Sequence, residues 1–353
     1  MFHTSGCSGG SLKPAVPIPV AKVQFAYTAN LPSSSISGYS LDTSSGALSP
    51  LAGFPLATAL NPEFVVHEPS NQFLIVTDLA AALVRVFKIN SSTGMLSEIS
   101  PSPYHIEQEP RAMAIDPTGK YVCVGSQSVN CVTAFSIDGS GVLSPIQGSP
   151  FSTGGNRSGV GCCVVTDPGV KFLYAEYGGE VYFFAIAKAS GALRLVSDVP
   201  TPTLGGGLAA DPSGRFLYAV GAGTNSIEAL ALDSNNGTLT PATASPMTLK
   251  DGAYPLPIEP SGRYAYTVEA RGTLLAYRLQ NGVFTNLGDR YAGALGSQQL
   301  TIDPTGAFIY GPQTGTENNV SRFRITTSGA LSLLPGSPTA SGNWPYSVTI
   351  TSK

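Results

Sequence analysis

The stretch Asp211-Pro212-Ser213-Gly214-Arg215-Phe216-Leu217-Tyr218 joins a tight turn to the start of an apolar strand. Proline fixes φ and glycine tolerates positive φ, so the first four residues predict a turn. The aromatic and apolar residues that follow favour a pleated, half-buried strand. Related turns begin at Glu68, Asp116, Asp167, Glu259 and Asp303, and successive turns lie 48, 51, 44, 48 and 44 residues apart. A period in this range predicts repeated supersecondary units.

Each repeat resolves into four short strands. In one repeat, residues 111–115 precede the turn, residues 120–124 follow it, residues 131–137 alternate in polarity, and residues 141–145 begin at a glycine. Turn residues separate the four segments. Each repeat is therefore predicted to form one antiparallel sheet.

The number of repeats indicates a closed ring. The glycine that opens the fourth strand occurs seven times, at Gly46, Gly94, Gly141, Gly191, Gly237, Gly282 and Gly329. Residues 22–27 match a second strand and residues 344–350 match a first strand, so joining them completes a seventh sheet. Such an overlap removes exposed sheet edges. We predict an all-β fold, a single seven-bladed β-propeller over residues 20–353, with residues 1–19 as a flexible tail.

Composition excludes several classes of partner. Charged residues make up 12% of the chain and the net charge is −3, so no basic face for nucleic acid is expected. No apolar run reaches the 18 residues typical of a membrane-spanning helix. We expect a monomer with no cofactor that binds a small molecule, and a protein partner is a further possibility.

The segment around Cys7 suggests a location. Residues 5–10, SGCSGG, look like the end of a bacterial lipoprotein signal and its tether, although the apolar stretch that normally precedes it is absent. The alternative is a disordered tail with an incidental cysteine. The first interpretation predicts lipidation of Cys7 and a periplasmic or cell-surface location. A cytoplasmic location is the alternative.

The other four cysteines do not form a disulfide framework. Cys123 and Cys131 fall on consecutive predicted strands and could face each other across a hairpin, while a bridge between the vicinal Cys162 and Cys163 would be strained. The preferred interpretation is buried free thiols that behave as small hydrophobic groups. Their spacing and the lack of nearby histidines argue against a zinc site.

The first strands of a propeller line its central channel, which predicts where a ligand site lies. Aligned on the turn, one ring of residues at the channel mouth is Glu63, Arg111, Cys162, Gly206, Tyr254, Gln298 and Tyr346. A second ring is Phe64, Ala112, Cys163, Gly207, Pro255, Gln299 and Ser347. Converging polar groups in a concavity are typical of ligand sites.

The segments DPSGRFLYAV (211–220), NSIEALALD (225–233) and GTLTPATASP (237–246) resemble the seven-bladed lactonase family. The best-known activity of that family is 6-phosphogluconolactonase. The chain is also similar to the bacterial YVTN-repeat propellers, which share this blade. The resemblance covers the chain from Ala21 onward and implies hydrolysis of a sugar lactone in the central funnel.

Arg111 matches the arginine that the family carries in a Pro-Arg-His sequence. The resemblance implies that Arg111 clamps an anionic group or stabilises the oxyanion of an opening lactone. The alternative is an ion pair with Glu109 or Glu63 that orders the rim. Ala112 replaces the family's histidine, and Gln299 replaces an acidic residue. Neither substitute can take a proton from water.

Another residue must then accept the proton of the attacking water molecule. The candidates are Glu63, Glu176 and His105, with a rim charge as the alternative for Glu176 and a surface loop as the alternative for His105. His67, just before its turn, is predicted to be structural. The substrate-binding candidates are Tyr254, Gln298, Gln299 and Tyr346. No metal is predicted, since one carboxylate and two amides are few ligands for a hard cation.

Two functions compete. The first is a lactone hydrolase of the 6-phosphogluconolactonase type, which the resemblance favours. The second is a non-catalytic extracytoplasmic propeller that binds a ligand, a glycan or a protein across its funnel. The low charge, Cys7, the Ser/Thr/Gly-rich blade edges and the missing histidine favour the second. Fold alone does not decide between them.

Overall fold

The described residues form seven antiparallel sheets. The computed structural model describes residues 24–58, 61–106, 109–126, 129–154, 162–201, 205–243, 245–269, 272–291, 299–314 and 317–351. Their strands are arranged in the four-strand pattern expected from the repeat, and we number the blades from the one that contains residue 24.

The strands fall into five sets by position. The first, innermost strands are β5 (Pro62–His67), β10 (Pro110–Ile115), β15 (Cys162–Thr166), β19 (Gly205–Ala210), β27 (Thr301–Ile302) and β32 (Pro345–Ile350). The second strands are β1 (Gln24–Asn30), β6 (Phe73–Asp78), β11 (Tyr121–Ser126), β16 (Phe172–Tyr177), β20 (Phe216–Gly221), β24 (Tyr264–Glu269) and β28 (Phe308–Gln313). The third strands are β2 (Ser35–Asp42), β7 (Leu83–Ile89), β12 (Cys131–Ile137), β17 (Glu180–Ile186), β21 (Ser226–Leu232), β25 (Thr273–Gln280) and β29 (Asn319–Ile325). The fourth strands are β3 (Ala47–Pro50), β8 (Leu96–Glu98), β13 (Leu143–Pro145), β18 (Leu193–Pro200), β22 (Leu239–Pro241), β26 (Val283–Tyr291) and β30 (Leu331–Leu333). Two-residue strands also pair with third strands, and these are β4 (Leu56–Ala57), β9 (Tyr104–His105), β14 (Phe151–Ser152), β23 (Met247–Thr248) and β31 (Thr339–Ala340).

The ring closes as the sequence predicts. β32 pairs antiparallel with β1, from Ala26 opposite Ile350 to Asn30 opposite Pro345, and it supplies the first strand of blade 1. The first strands of neighbouring blades lie against one another. The seven-bladed propeller is therefore confirmed, and the residues that start its first strands meet at one end of the central axis.

Blade 6 departs from the four-strand pattern. Its sheet contains β24, β25 and β26, and the segment that should form the first strand makes two isolated bridges, Ala253 to Glu269 and Ile258 to Ala265. Pro255 and Pro257 lie in this segment. Proline has no backbone N–H to donate to the ladder, which explains why no continuous strand forms there.

The carboxylate of each repeated turn holds the backbone that follows it. Asp303 Oδ1 accepts hydrogen bonds from the N–H groups of Ala307 at 2.8 Å and Phe308 at 2.7 Å, and Asp303 Oδ2 accepts one from Thr305 at 3.1 Å. The turn carboxylates of the other blades accept related bonds, and these residues are Glu68, Asp116, Asp167, Asp211 and Glu259. All six are buried. The repeated motif is thus a structural device.

Contacts between blades pair an aromatic ring with a glycine. The ring that starts each second strand lies over the glycine that opens the fourth strand of the next blade. The seven pairs are Phe25–Gly94, Phe73–Gly141, Tyr121–Gly191, Phe172–Gly237, Phe216–Gly282, Tyr264–Gly329 and Phe308–Gly46. Tyrosine hydroxyls in four second strands also donate to the carbonyl oxygen of the paired glycine: Tyr27, Tyr174, Tyr266 and Tyr310. The last pair joins blade 7 to blade 1, so this contact runs around the whole ring.

The cysteines form no bridge across the hairpin. Cys123 lies opposite Ala134 and Cys131 lies opposite Ser126, so the proposed pair does not face each other. Cys123 and Cys163 are free thiols, which also excludes the vicinal bridge. The preferred interpretation of a buried free thiol is confirmed for Cys123, while Cys163 is a free thiol that is only partly buried.

None of the described residues belongs to a helix with the length and hydropathy that a transmembrane span requires. Cys7 and the rest of the predicted tail lie outside the described residues. Lipidation of Cys7 therefore stays a prediction.

Gly141→Ala should destabilise the fold strongly. Gly141 has φ +86°, and an added Cβ would lie 2.6 Å from Phe73 Cδ1. The backbone strain and the overpacking together should lower the free energy of unfolding by about 2–4 kcal/mol, measured by chemical denaturation. Gly139→Ala in the same turn is the matched control, because nothing lies within 4 Å of its added Cβ. Equal losses in the two variants would contradict the proposed role of the contact.

Candidate functional site

Irregular pairing aims side chains toward the channel mouth. In β10, Pro110 pairs with Ser126 and Ala112 with Gly125, so the register skips one residue. The same irregularity recurs at the start of four first strands, and the skipped residues are Arg111 in β10, Tyr346 in β32, Gly206 in β19, and Glu63 with Phe64 in β5. A β-bulge redirects side chains and is frequent beside active sites. Four members of the first predicted ring therefore lie at bulges, whereas Cys162 pairs with Tyr177 without a register shift.

Glu63 and Arg111 form an ion pair between two blades. Arg111 Nη1 donates to Glu63 Oε1 at 3.0 Å. The Glu63 side chain is fully buried, whereas that of Arg111 is 36% exposed and reaches the surface. Glu63 Oε2 and Arg111 Nε are buried and form no hydrogen bond with the described residues. The pair therefore leaves one buried acceptor and one buried donor unsatisfied by the described residues.

Burial raises the pKa of Glu63 to about 7, since the charged carboxylate loses its hydration inside the protein. The positive charge of Arg111 and the nearby hydroxyl of Tyr346 oppose this shift, and the charge of Glu109 adds to it. Glu63 consequently exchanges its proton near neutral pH. That range suits a general base.

Tyr346 borders the ion pair. Its ring meets the ring of Phe64 edge to face, with centroids 5.7 Å apart. Burial raises the pKa of the Tyr346 hydroxyl far above its ordinary value, and the charge of Glu63 raises it further. The phenol therefore stays protonated at neutral pH, and its hydrogen-bond partner in this structure is Glu63.

Hydroxyl groups fix the backbone beneath this site. Ser347 Oγ donates to the carbonyl oxygen of Glu63 at 2.7 Å and accepts from the N–H of Val65 at 3.1 Å. Thr77 Oγ1 accepts from the N–H of Phe64 at 3.2 Å. These bonds satisfy backbone groups that the bulge removes from the ladder. Ser347, a member of the second predicted ring, therefore positions Glu63.

Glu176 and Cys163 lie opposite each other on β16 and β15. Burial raises the pKa of Glu176 to about 7, while hydrogen bonds from the N–H groups of Gly179 and Gly205 oppose the shift. Those bonds reach Glu176 Oε1 at 3.3 Å and 3.4 Å, and Oε2 has no partner among the described residues. Burial and the charge of Glu176 raise the pKa of Cys163 to about 12, so its thiol stays protonated. Glu176 is buried in a strand, which corrects the rim-charge alternative.

The remaining candidates are scattered. His105 is exposed on β9, which lies three strands out from β5 in its blade, so the structure does not bring it together with Glu63. Tyr254 is half-buried in the irregular segment of blade 6, where its carbonyl oxygen accepts from Thr267 Oγ1 at 2.9 Å. Gln299 has a buried Oε1 with no partner among the described residues, and Gln298 lies outside them.

His67 has the structural role that its position predicts. Its Nδ1 lies 2.8 Å from Thr349 Oγ1, which links β5 to β32. Burial lowers the pKa of His67 to about 4. The ring is therefore neutral at physiological pH.

Within the described part of the chain, no three histidine, cysteine, aspartate or glutamate side chains come close enough to hold a metal ion together. The chemistry that this arrangement supports uses a carboxylate, a guanidinium and a phenol. Trp344, an exposed aromatic residue two positions before Tyr346, was not among the site residues predicted from the sequence. The available signal was that it is the single tryptophan of the chain.

Comparisons with known proteins agree with the fold. Residues 22–165 and 163–253 match the family described as lactonase, seven-bladed β-propeller. No curated protein matches the chain. A crystal structure from Bacteroides uniformis, described as a "putative 6-phosphogluconolactonase", is similar with a TM-score of 0.79 at 16% identity, over 93% of this chain and 99% of that one. The periplasmic gluconolactonase of Pseudomonas aeruginosa is similar with a TM-score of 0.77 at 18% identity, over 93% and 99% of the two chains. At these identities the structural likeness shows the fold alone.

The pKa of Glu63 predicts a pH-dependent stability. It rises from 4.5 to about 7 on folding, so the folded state holds the proton more tightly. The contribution of Glu63 to the free energy of unfolding is full below about pH 4.5 and is lost as the pH rises through 7. Glu63→Gln removes this loss, so the free energy of unfolding of the variant relative to the wild type should rise by about 3 kcal/mol over that window.

Urea denaturation at several pH values measures this difference. Asp138→Asn is the control, because hydrogen bonds from Ser140 lower the pKa of Asp138 below its ordinary 3.8. Asp138 therefore changes its charge only at a more acid pH. Its difference from the wild type should be flat between about pH 4.5 and 7. If the free energy of unfolding of the wild type and of Glu63→Gln changed equally with pH, the pKa of Glu63 would be ordinary and the prediction would be wrong.

Proposed function

Because the chain belongs to the seven-bladed β-propeller lactonase family, we propose that it hydrolyses a sugar lactone of the 6-phosphogluconolactone type at the Glu63–Arg111 pair. The observation that carries the proposal is the raised pKa of Glu63, about 7, next to a guanidinium that reaches the surface. A carboxylate with this pKa can take a proton from water, which neither Ala112 nor Gln299 can do.

The first step is proton abstraction from water. Glu63 Oε2 accepts no hydrogen bond from the described residues. It takes a proton from a water molecule as that water attacks the lactone carbonyl carbon. The new C–O bond converts the carbonyl oxygen into an oxyanion. Burial of Glu63 strengthens its basicity, because a charged carboxylate inside the protein is poorly solvated.

Arg111 stabilises the negative charge that develops. Its Nη1 donates to Glu63, while its Nε has no hydrogen-bond partner among the described residues. Donors that point at a forming oxyanion in a poorly hydrated site lower the barrier. Tyr346, which keeps its proton at neutral pH, donates to a hydroxyl or ring oxygen of the substrate.

The second step opens the ring. The oxyanion reforms the carbonyl group, the ring ester C–O bond breaks, and the departing oxygen receives the proton that Glu63 took from water. The product is the open-chain hydroxy acid, and Glu63 returns to its starting state. Glu176, whose Oε1 is held by two backbone N–H groups, supports the neighbouring loops and does not transfer a proton in this scheme.

The proposal includes a location outside the cytoplasm, as the Cys7 segment suggests. One structural relative is described as periplasmic, which supports this location without carrying it. The second function, a non-catalytic binding propeller, is an outcome of the activity test. Retention of ligand binding without hydrolysis would favour it.

Acid release from glucono-1,5-lactone and from its 6-phosphate, followed in a pH-stat, tests the activity. We expect the wild type to exceed the spontaneous rate. Glu63→Gln should lower kcat by about 10²–10⁴-fold, because general-base catalysis is lost. Arg111→Ala should lower it by about 10²–10³-fold, because a donor to the oxyanion is lost.

Glu228→Gln is the matched control for this experiment. Glu228 is also a buried carboxyl whose pKa is raised by burial, and it lies on β21, a third strand away from the axis. It should leave kcat unchanged. Hydrolysis at the spontaneous rate by the wild type would overturn the proposed function for these substrates, and full activity in Glu63→Gln would overturn the assignment of the base.

A further inference from the structure

Trp344 is an exposed aromatic residue that directly precedes the innermost strand β32. It precedes Pro345 and Tyr346 at the start of β32, and 45% of its surface is accessible. Its Cα lies within about 7 Å of the Cα of Tyr346, because two residues cannot span more. It is the single tryptophan of the chain.

Two features make a tryptophan unfavourable here for folding alone. Its φ is +53°, a left-handed conformation that bulky side chains rarely adopt. Its large apolar surface faces water, so this surface gains none of the stability that burial would provide. Residues that violate local preferences in this way are expected at functional sites.

The backbone of Trp344 is nonetheless fixed on both sides. Its N–H donates to Asn318 Oδ1 at 2.8 Å, and its carbonyl oxygen accepts from the N–H of Leu31 at 3.1 Å. Among the described residues, the indole stacks on no other ring, and its N–H donates to no other group. The fold therefore presents an unoccupied aromatic face and an unused donor on a fixed support.

We propose that Trp344 is the platform on which the sugar ring of the substrate stacks. The C–H groups on one face of a pyranose ring form an apolar surface that matches an indole, and the indole N–H can donate to a ring hydroxyl. This inference rests on the proposed function. Stacking on Trp344 places the substrate beside Tyr346, which borders the Glu63–Arg111 pair, so Trp344 determines affinity for a sugar lactone and takes no part in bond making.

Steady-state kinetics with glucono-1,5-lactone separate these roles. Trp344→Gly should raise KM about fivefold to tenfold with kcat nearly unchanged, since one aromatic contact is lost. Its midpoint in denaturant should stay the same or rise, because glycine accepts the left-handed conformation. Leu333→Ala is the control: Leu333 is 54% exposed on the outer strand β30, and its loss should not change KM. An unchanged KM in Trp344→Gly would overturn the platform, whatever the activity of Glu63.

The single tryptophan also gives a direct binding signal. Selective excitation of the Glu63→Gln variant during titration with glucono-1,5-lactone should produce a saturable change in tryptophan emission. If the wild type does not hydrolyse lactones, the proposed function fails, but a saturable change would still support the platform. No change at saturating lactone would overturn it. Binding of a protein in place of the sugar would appear as lactone-independent burial of Trp344 in a complex, and that outcome would also overturn it.

Discussion

The contact between an aromatic ring and a glycine of the next blade is the constraint on which the rest of the structure depends. It sets the spacing of adjacent sheets seven times, including the contact between Phe308 and Gly46 that joins the two ends of the chain. The glycine must lack a Cβ for the ring to fit, and its positive φ starts the fourth strand. With this contact repeated at all seven blade boundaries, β32 completes the first sheet. Residues from distant parts of the chain then meet at the axis.

The candidate site uses that closure. Glu63, Arg111 and Tyr346 belong to blades 2, 3 and 1, and bulges at the start of their strands turn them toward one another. Glu63 is completely buried with one unsatisfied oxygen, which is unfavourable for stability. The same burial raises its pKa to about 7 and gives it the properties of a base. Trp344 combines a cost and a use in the same way. Its left-handed backbone and its exposed indole are unfavourable for stability, and the exposed indole offers an aromatic surface to a ligand.

The sequence predicts the fold well because its signals are local and repeated. The Asp-Pro-Ser-Gly turn, the aromatic residue after it and the fourth-strand glycine recur in a fixed order, and the structure confirms the function of each. Alignment on the turn also placed Glu63, Arg111 and Tyr346 in one ring. The bulges that aim them were not visible, since they depend on pairing between strands. The burial that shifts the pKa of Glu63 depends on three blades. His105 is exposed on a short strand that pairs with β7, which agrees with the surface alternative.

The proposed hydrolysis requires that Glu63 loses its proton near neutral pH. Infrared difference spectra of the wild type against Glu63→Gln report the protonated carboxyl group directly, and kcat/KM for the lactone can be measured over the same pH range. We expect the carboxyl band to disappear with a midpoint near pH 7 while kcat/KM rises with the same midpoint. A band already absent at about pH 5, as for an ordinary glutamate, would contradict it.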